Sequence, residues 1–449
     1  MSAAYLLERA WVDGAVHDEV LVEIDGSRFT RVTPLGQSLS RWGVATAQHV
    51  RNPRVPGDSS ATRVSGITIP GLANCHSHAF HRALRGRTQR GKGTFWTWRE
   101  QMYDVAGRLD PDSYFALARA TYREMVAAGI TAVGEFHYLH HQPDGTPYDD
   151  PNAMGHALIA AAHEAGIRIA LLDTCYLSSG FGKPVEGVQM RYSDGDAATW
   201  AARVAGLEGS DGVAVGAAIH SVRAVPRDQL GDVTGQPLHV HLSEQPAEND
   251  ECLAAYGLTP TRLLRDAGVL GSESTVVHAT HLTDNDLALV GSTSTNVCFC
   301  PTTERDLGDG IGPSRRLHEA GARLTLGSDS HAVIDLFEEM RALELDERLA
   351  TQERGHWAAT ELISAATAHD TLGFADAGTI AVGQRADLVT IDTTSPRTAG
   401  TGADEHTATY AATAADVTQV IVDGRVVFSR GDEAEIGREL DKAIGALWS

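Results

Sequence analysis

Two histidines one residue apart, His76 and His78, end the apolar run ITIPGLANCHSH. If that run is a strand, alternate side chains leave it on one side, and both imidazoles can reach a single ion. HVHLSE supplies His241 and, three residues on, Glu244; His239 has the same parity but sits deeper in the run. LGSDSH supplies Asp329. Three imidazoles and a carboxylate suit Zn²⁺, one per chain, with a coordination position left for water; Fe²⁺ or another divalent ion is compatible with the same donors. Water activated there can attack a trigonal carbon that bears nitrogen. Asp329 can ligate and accept a proton from that water. His278, in VVHATH, can orient the attacking oxygen and steady the adduct, and Glu244 can protonate the departing nitrogen. Glu244 also has a plainer reading, as a carboxylate favoured by a helix start.

The elements that must carry these residues form a regular series. ITIPGLANCHSH, TAVGEFHY, RIALLDTCY, VAVGAAIHS, PLHVHLSE, STVVHATH, NVCFCPTTE and RLTLGSDSH read as apolar strands, with helical segments such as YFALARATYREMVAAG between them. Chemistry-capable residues gather at the C-terminal end of strand after strand, the end where (β/α)₈ barrels keep their active sites. The expected fold is therefore α/β, a (β/α)₈ TIM-like metal-dependent hydrolase barrel. Both chain ends read instead as short strands with DG turns, which predicts one small composite β-sandwich built from the two terminal segments. The expected limits are 1–66 plus 375–430 for the sandwich, 67–374 for the barrel and 431–449 for a C-terminal helix. Between the C-terminal strands, TTSPRTAGTGADEHTATYAATAAD reads as a surface loop, and DLFEEMRALELDE reads as a solvated helix face.

Composition narrows the partners. The 449 residues are 42% hydrophobic, enough for a large core, and Lys+Arg 37 against Asp+Glu 59 leaves a charge of −22. That balance argues against nucleic acid or an anionic membrane and leaves a small-molecule pocket open. No signal-peptide pattern or 18-residue apolar run is visible, and the five cysteines lack CxxC spacing, so a reduced, cytoplasmic protein is expected. Cys298 and Cys300 read as buried, and Cys75 has the wrong parity to face an ion. His140 and His141 follow Tyr138 in a loop, either solvated or just outside the site. His281 and His331 read as supporting or surface residues.

With these motifs in place, the sequence resembles the amidohydrolase superfamily. PGLANCHSH, HVHLSE, VVHATH and LGSDSH match its strand-one, five, six and eight motifs. Strand four ends in Ala-Ile-His-Ser, without the lysine that bridges two metals in its binuclear members, which points to the mononuclear, deaminase-like branch. HSHAFHRAL, FWTWREQMY, EFHYLHH, VQMRYSD and HSVRAVP further resemble the N-formimino-L-glutamate deiminases of histidine degradation. The resemblance implies His76, His78, His241 and Asp329 on one Zn²⁺, with Glu244 and His278 acting on its water. It implies hydrolysis of N-formimino-L-glutamate to N-formyl-L-glutamate and ammonia. Arg99 and Arg223 would clamp an anionic small-molecule substrate, since planar guanidinium forks suit carboxylates. Tyr138 and His220 fall at nearby pocket positions, and His81 stands where the family's HSHAFQRA has glutamine. Arg99 also has a bland reading, stacked on Trp96 or Trp98, and the aromatics of that segment read as lid packing. A homodimer is implied by the resemblance alone. The rival readings are a mononuclear deaminase of a guanine, pterin or cytosine-like ring, a binuclear amide hydrolase and a non-catalytic zinc-binding protein.

Overall fold

The computed structural model describes residues 2–36, 61–90 and 93–449, leaving out the side chains of residues 95 and 96. Residues 37–60, part of the expected sandwich segment, lie outside the described residues. Strands β1 (Ser2–Val12), β2 (Ala15–Asp25), β3 (Arg28–Pro34) and β4 (Thr62–Pro70) come first. Eight strands follow: β5 (Leu72–Ser77), β6 (Ile130–His137), β7 (Arg168–Cys175), β8 (Val213–Ile219), β9 (Leu238–Leu242), β10 (Ser274–His278), β11 (Asn296–Phe299) and β12 (Arg323–Leu326). The chain ends with β13 (Leu388–Ile391), β14 (Val417–Val422), β15 (Arg425–Ser429) and a helix, Glu433–Leu447.

Strands β5 to β12 pair in sequence order, every pair parallel. The backbone closes the ring: Asp329 N donates to His76 O at 3.0 Å and His78 N donates to Asp329 O at 3.2 Å. Helices separate most of the strands, and both β6 and β7 are buried along their whole length, as strands covered on two faces must be. This is the expected (β/α)₈ barrel. The other strands form one sheet in the order β15-β14-β13-β4-β1-β2-β3, in which only β1 and β4 run parallel. It curls on itself, because Phe29 N donates to Gln384 O at 3.1 Å and Leu7, Val22, Phe29, Leu388 and Ile421 share one apolar core.

Three expectations change. The run ITIPGLANCHSH is two strands, not one: Ile67–Pro70 ends β4, and the chain crosses into the barrel at Gly71. A Cβ at Gly71 would stand 2.2 Å from Thr131 Oγ1, so the crossing hugs β6. The supposed surface loop is largely packed, with Thr407, Ala408, Thr409 and Ala412 buried; Arg341 donates to Ala412 O at 3.1 Å. The acidic helix Leu336–Thr351 is not simply solvated either. Glu339 accepts from Thr302 N at 2.9 Å, Glu344 from Trp357 N at 2.7 Å and Glu347 from Arg315 N at 2.7 Å. These carboxylates satisfy backbone donors at loop and helix starts, a use that charge patterning does not reveal.

A buried ion pair joins the two sheets. Arg168, at the start of β7, bonds the carboxylate of Asp387 beside β13 and reaches Asp423 at 3.2 Å; Asp387 also accepts from Thr131 at 3.1 Å and from Asp423 N at 3.0 Å. Removing the cation strands a buried carboxylate. Arg168→Met should therefore lower unfolding stability by ~3–5 kcal/mol, read by urea or thermal denaturation.

Candidate active site

The strand ends bring the expected ligands together. His76 and His78 leave β5 on the same side, His241 comes from β9, and Asp329 follows β12; one donor atom from each lies within 4.8 Å of the others. His76 Nε2 and His78 Nε2 are each 3.3 Å from Asp329 Oδ1, and His76 Nε2 is 3.1 Å from His241 Nε2. Bonds of ~2.0–2.1 Å around a tetrahedral zinc ion give donor–donor edges of ~3.3 Å, so the donor set fits such an ion. The far ring nitrogens are fixed by backbone carbonyls: His78 Nδ1 donates to Phe136 O at 3.0 Å and His241 Nδ1 to His220 O at 2.8 Å. Those bonds set the tautomer and aim each Nε2 lone pair inward. Burial pushes His76 down to about 4 and His241 well below the imidazole range, so both are neutral donors. Burial opposes ionisation of Asp329, yet the close imidazoles of His76 and His78, with His278 nearby, hold its carboxyl well below the usual range.

His278, ending β10, stands beside this group. Its Nε2 is 3.8 Å from both Glu244 Oε1 and Asp329 Oδ2, and its Nδ1 is 3.4 Å from Glu304 Oε1. Burial opposes its charge, but the surrounding carboxylates, Glu244 foremost, lift it well above the usual imidazole value. The backbone at these strand ends is unusual. Ser243, His278, Ala279, Asp329 and His331 all have positive φ, at 50°, 70°, 50°, 40° and 57°. A left-handed conformation costs a non-glycine residue ~1–2 kcal/mol, and the bonds around it must hold it there. Ala279 N to Leu242 O at 3.0 Å and His281 N to Ser243 O at 3.1 Å are such bonds.

A cavity opens over the donors, and His81, Arg99, Tyr138, His220, Arg223 and Glu244 all line it. His81 Nε2 lies 3.0 Å from Tyr138 Oη. Arg99 donates through Nε to Tyr103 Oη at 2.7 Å, with its guanidinium 5.1 Å over the Tyr103 ring. It therefore stacks on Tyr103 and faces the cavity; the side chain of Trp96 lies outside the described residues. Trp98 is more than lid packing, for it lines the cavity edge-on to His81 at 5.2 Å. His220 packs 4.6 Å from the Tyr176 ring. The Arg223 guanidinium makes no hydrogen bond or ion pair among the described residues, although it lines the cavity.

Sequence reasoning missed Tyr103, Tyr176, Tyr192 and Gln189. Tyr103 is four residues after Arg99 on the helix Phe95–Arg108, a spacing that could have found it. Gln189 Nε2 donates to both Tyr103 Oη and Tyr176 Oη at 3.0 Å, which no local spacing foretells. His140 and His141 are buried rather than solvated, with His140 Nε2 donating to Thr174 O at 2.9 Å and His141 Nε2 lying 3.0 Å from Asp194. His331 sits between Ser77 Oγ at 3.1 Å and Ser328 Oγ at 3.0 Å, a support for the ligand loops. All five cysteines are buried and free.

Close approach of β5 to the end of β12 is what seats Asp329. A Cβ on Gly327 would meet His76 Cβ at 2.8 Å and His76 N at 2.9 Å. Gly327→Ala should lower both the melting temperature and the bound metal per chain, measured by calorimetry and elemental analysis; full metal content would show that the seam can yield.

Among the described residues no helix is long and apolar enough to cross a membrane. Comparison with known proteins adds to the geometry. The chain is 35% identical over 395 residues to the formimidoylglutamate deiminase of Pseudomonas aeruginosa, covering 83% of this chain and 87% of that one. It is 28% identical over 385 residues to a 5-methylthioadenosine/S-adenosylhomocysteine deaminase of Natronomonas pharaonis, covering 83% of each. A crystal structure of an amidohydrolase from Brucella melitensis superposes with a TM-score of 0.86 over 100% of both chains at 30% identity. An adenosine deaminase from Xanthomonas campestris with bound zinc, 20% identical, shares the fold at a TM-score of 0.81 over 99% of this chain and 98% of that one. The amidohydrolase family model matches residues 67–427. With its buried cluster of histidines and aspartate, the chain belongs to the metal-dependent amidohydrolase family and is a hydrolase acting on C–N bonds.

Proposed function

We propose that the protein hydrolyses N-formimino-L-glutamate to N-formyl-L-glutamate and ammonia, with Zn²⁺ held by His76, His78, His241 and Asp329. The observation that carries this reading is a pair of guanidiniums, Arg99 and Arg223, lining the same cavity as Glu244, His278 and Asp329, with the Arg223 guanidinium making no hydrogen bond or ion pair among the described residues. A half-buried guanidinium whose N–H groups are left without acceptors is costly, and a substrate carboxylate relieves that cost. A glutamate skeleton brings two carboxylates, one for each arginine. Resemblance to the Pseudomonas aeruginosa enzyme points the same way.

An ion at this site supplies Lewis acidity and water activated near neutral pH. The chain's own residues do the rest. Asp329 Oδ2, turned toward His278, accepts the proton of the attacking water. His278, an imidazolium under its carboxylate neighbours, donates to the oxygen that adds to the formimino carbon. Glu244 carries the proton to the departing nitrogen. Tyr138 and His81, bonded to each other, bound the pocket at the formimino end, and His220 braces His241 through its carbonyl. Trp98 and the tyrosine wall exclude bulk water.

The aromatic wall of Tyr103, Tyr138, Tyr176 and Tyr192 favours a second reading, deamination of a purine nucleoside, and relatives near 28% identity carry such names. Ammonia release from N-formimino-L-glutamate, 5-methylthioadenosine and guanine by purified protein separates the two; faster turnover of a ring compound would remove the formimino reading. The resemblance also extends the proposal to a cytoplasmic homodimer, which light scattering and fractionation would check.

Substitutions give sharper outcomes. Arg99→Met should lower kcat/KM for formiminoglutamate by ~10²-fold, about 3 kcal/mol for a charged ligand group left unpaired. A change below threefold would take Arg99 out of substrate binding. Glu244→Gln should keep the metal and lose nearly all turnover; a normal rate would end its role as proton carrier.

A further inference from the structure

Behind Glu244, outside the cavity wall, lies a carboxyl with one oxygen lacking a hydrogen bond. Asp309 follows the helix Pro301–Leu307 and is 3% exposed. Its Oδ1 accepts from Gln245 Nε2, and its backbone carbonyl accepts from His281 Nε2 at 2.8 Å. Its Oδ2 is buried and has no hydrogen-bond partner among the described residues. One oxygen of Asp309, one oxygen of Glu244 and a ring nitrogen of His278 all lie within 4.8 Å of one another. The loop is pinned from both sides: Asp309 N donates to Glu304 O at 2.9 Å, and Asn249 Nδ2 donates to His281 O at 2.6 Å.

Two carboxylates this close in a buried setting do not both ionise, and a proton settles on the one less favoured by cations. Burial pushes Glu244 above the usual carboxylate range, with Asp329 and the acid Glu248 adding to this, while three cations or imidazoles, His278, Arg223 and His78, face it and favour its ionised form. Asp309 has His278 in its favour, but Glu244, Glu304 and Asp329 face it as like charges. Burial, with Glu244 adding, pushes Asp309 up to about 9. Asp309 is thus the member that keeps a proton, and its free oxygen is where that proton sits.

We propose that Asp309 is a positioning residue for Glu244: a neutral carboxylic acid whose Oδ2–H is donated to the Glu244 carboxylate and keeps it turned toward the reacting nitrogen. This rests on the reading of Glu244 as the proton carrier. Proton accounting is simple. The attacking water gives up two protons, one as it adds to the formimino carbon and one as the adduct's hydroxyl becomes the formyl carbonyl. Both reach the departing nitrogen, the last through Glu244 as the C–N bond breaks and ammonia leaves, while Asp309 keeps its own throughout. Glu244 has a side chain 20% exposed to the cavity, so a turn of that side chain closes the gap.

The test compares Asp309→Asn with Asp309→Ala in the full-length, zinc-loaded protein, measuring kcat and KM across pH on N-formimino-L-glutamate and, in parallel, on 5-methylthioadenosine. Asparagine retains a neutral donor at the same place, so kcat should stay within ~threefold with the wild-type pH profile. Alanine removes the donor, so kcat should fall ~30-fold with KM within ~threefold and metal content unchanged. A wild-type rate for Asp309→Ala would overturn the proposal, as would an Asn variant as slow as the Ala variant. If Asp309→Ala does not fold, the Asn profile decides: an unshifted profile upholds a neutral acid, and a shifted limb refutes it. Wild-type turnover of 5-methylthioadenosine alone would remove the formimino reading and leave the Asp309 comparison standing on that substrate.

Discussion

Hydrogen bonds between the backbones of His76, His78 and Asp329 close the barrel and, in the same stroke, assemble the donor set. Donor geometry and barrel closure are one constraint here, because the first and last barrel strands each contribute members of the donor cluster at the seam. Any slip of register there would turn the two β5 imidazoles to the other face of the strand. Asn74 guards against it: its Oδ1 accepts from Ser328 N at 2.9 Å and its Nδ2 donates to Ser328 Oγ at 2.7 Å. Glu135 reinforces the same corner, accepting from Ala79 N and from Ser77 Oγ at 2.7 Å each.

From that seam the site is organised in depth. Burial keeps His76 and His241 neutral, whereas His278 is kept charged by carboxylates on several sides. Neighbouring histidines thus do opposite work because one set lacks anionic neighbours at its outer nitrogens and the other has Glu304 there. Several positive-φ residues sit at the same strand ends, where backbone bonds tie the loop after β10 to that after β9 and the loop after β12 to β5. Strain at the reacting end is balanced by apolar burial in the barrel below.

The sequence disclosed the parts that depend on local pattern. Strand parity put His76 and His78 on one side, and the HxxE spacing put Glu244 just beyond the end of β9, where both are found. The barrel was legible because each strand is an apolar run with its polar residues at one end. The rest depends on long-range packing. Nothing in DLFEEMRALELDE distinguishes Glu339, buried under Thr302, from its solvated neighbour Glu338. Gln189 joins Tyr103 to Tyr176 across three separate segments, and Asp309 meets Glu244 only because two strand-end loops converge. Gly71 looked like an interior residue of one strand because both halves of ITIPGLANCHSH are equally apolar; only the tight passage against Thr131 divides them.

The terminal sheet has a consequence for how the protein is made. Strand β4 finds its partner β13 through the pairs Pro70 with Leu388 and Ile69 with Val389, so the entire barrel is synthesised between the two. At ~5–20 residues per second, the edge of β4 emerges and waits on the order of tens of seconds for the strand that will cover it. Throughout that interval β4 presents an unpaired edge, apolar from Ile67 to Pro70, that another nascent chain could occupy. Completion of the terminal sheet is therefore a late event in the life of the polypeptide, possible only after the whole barrel has been synthesised.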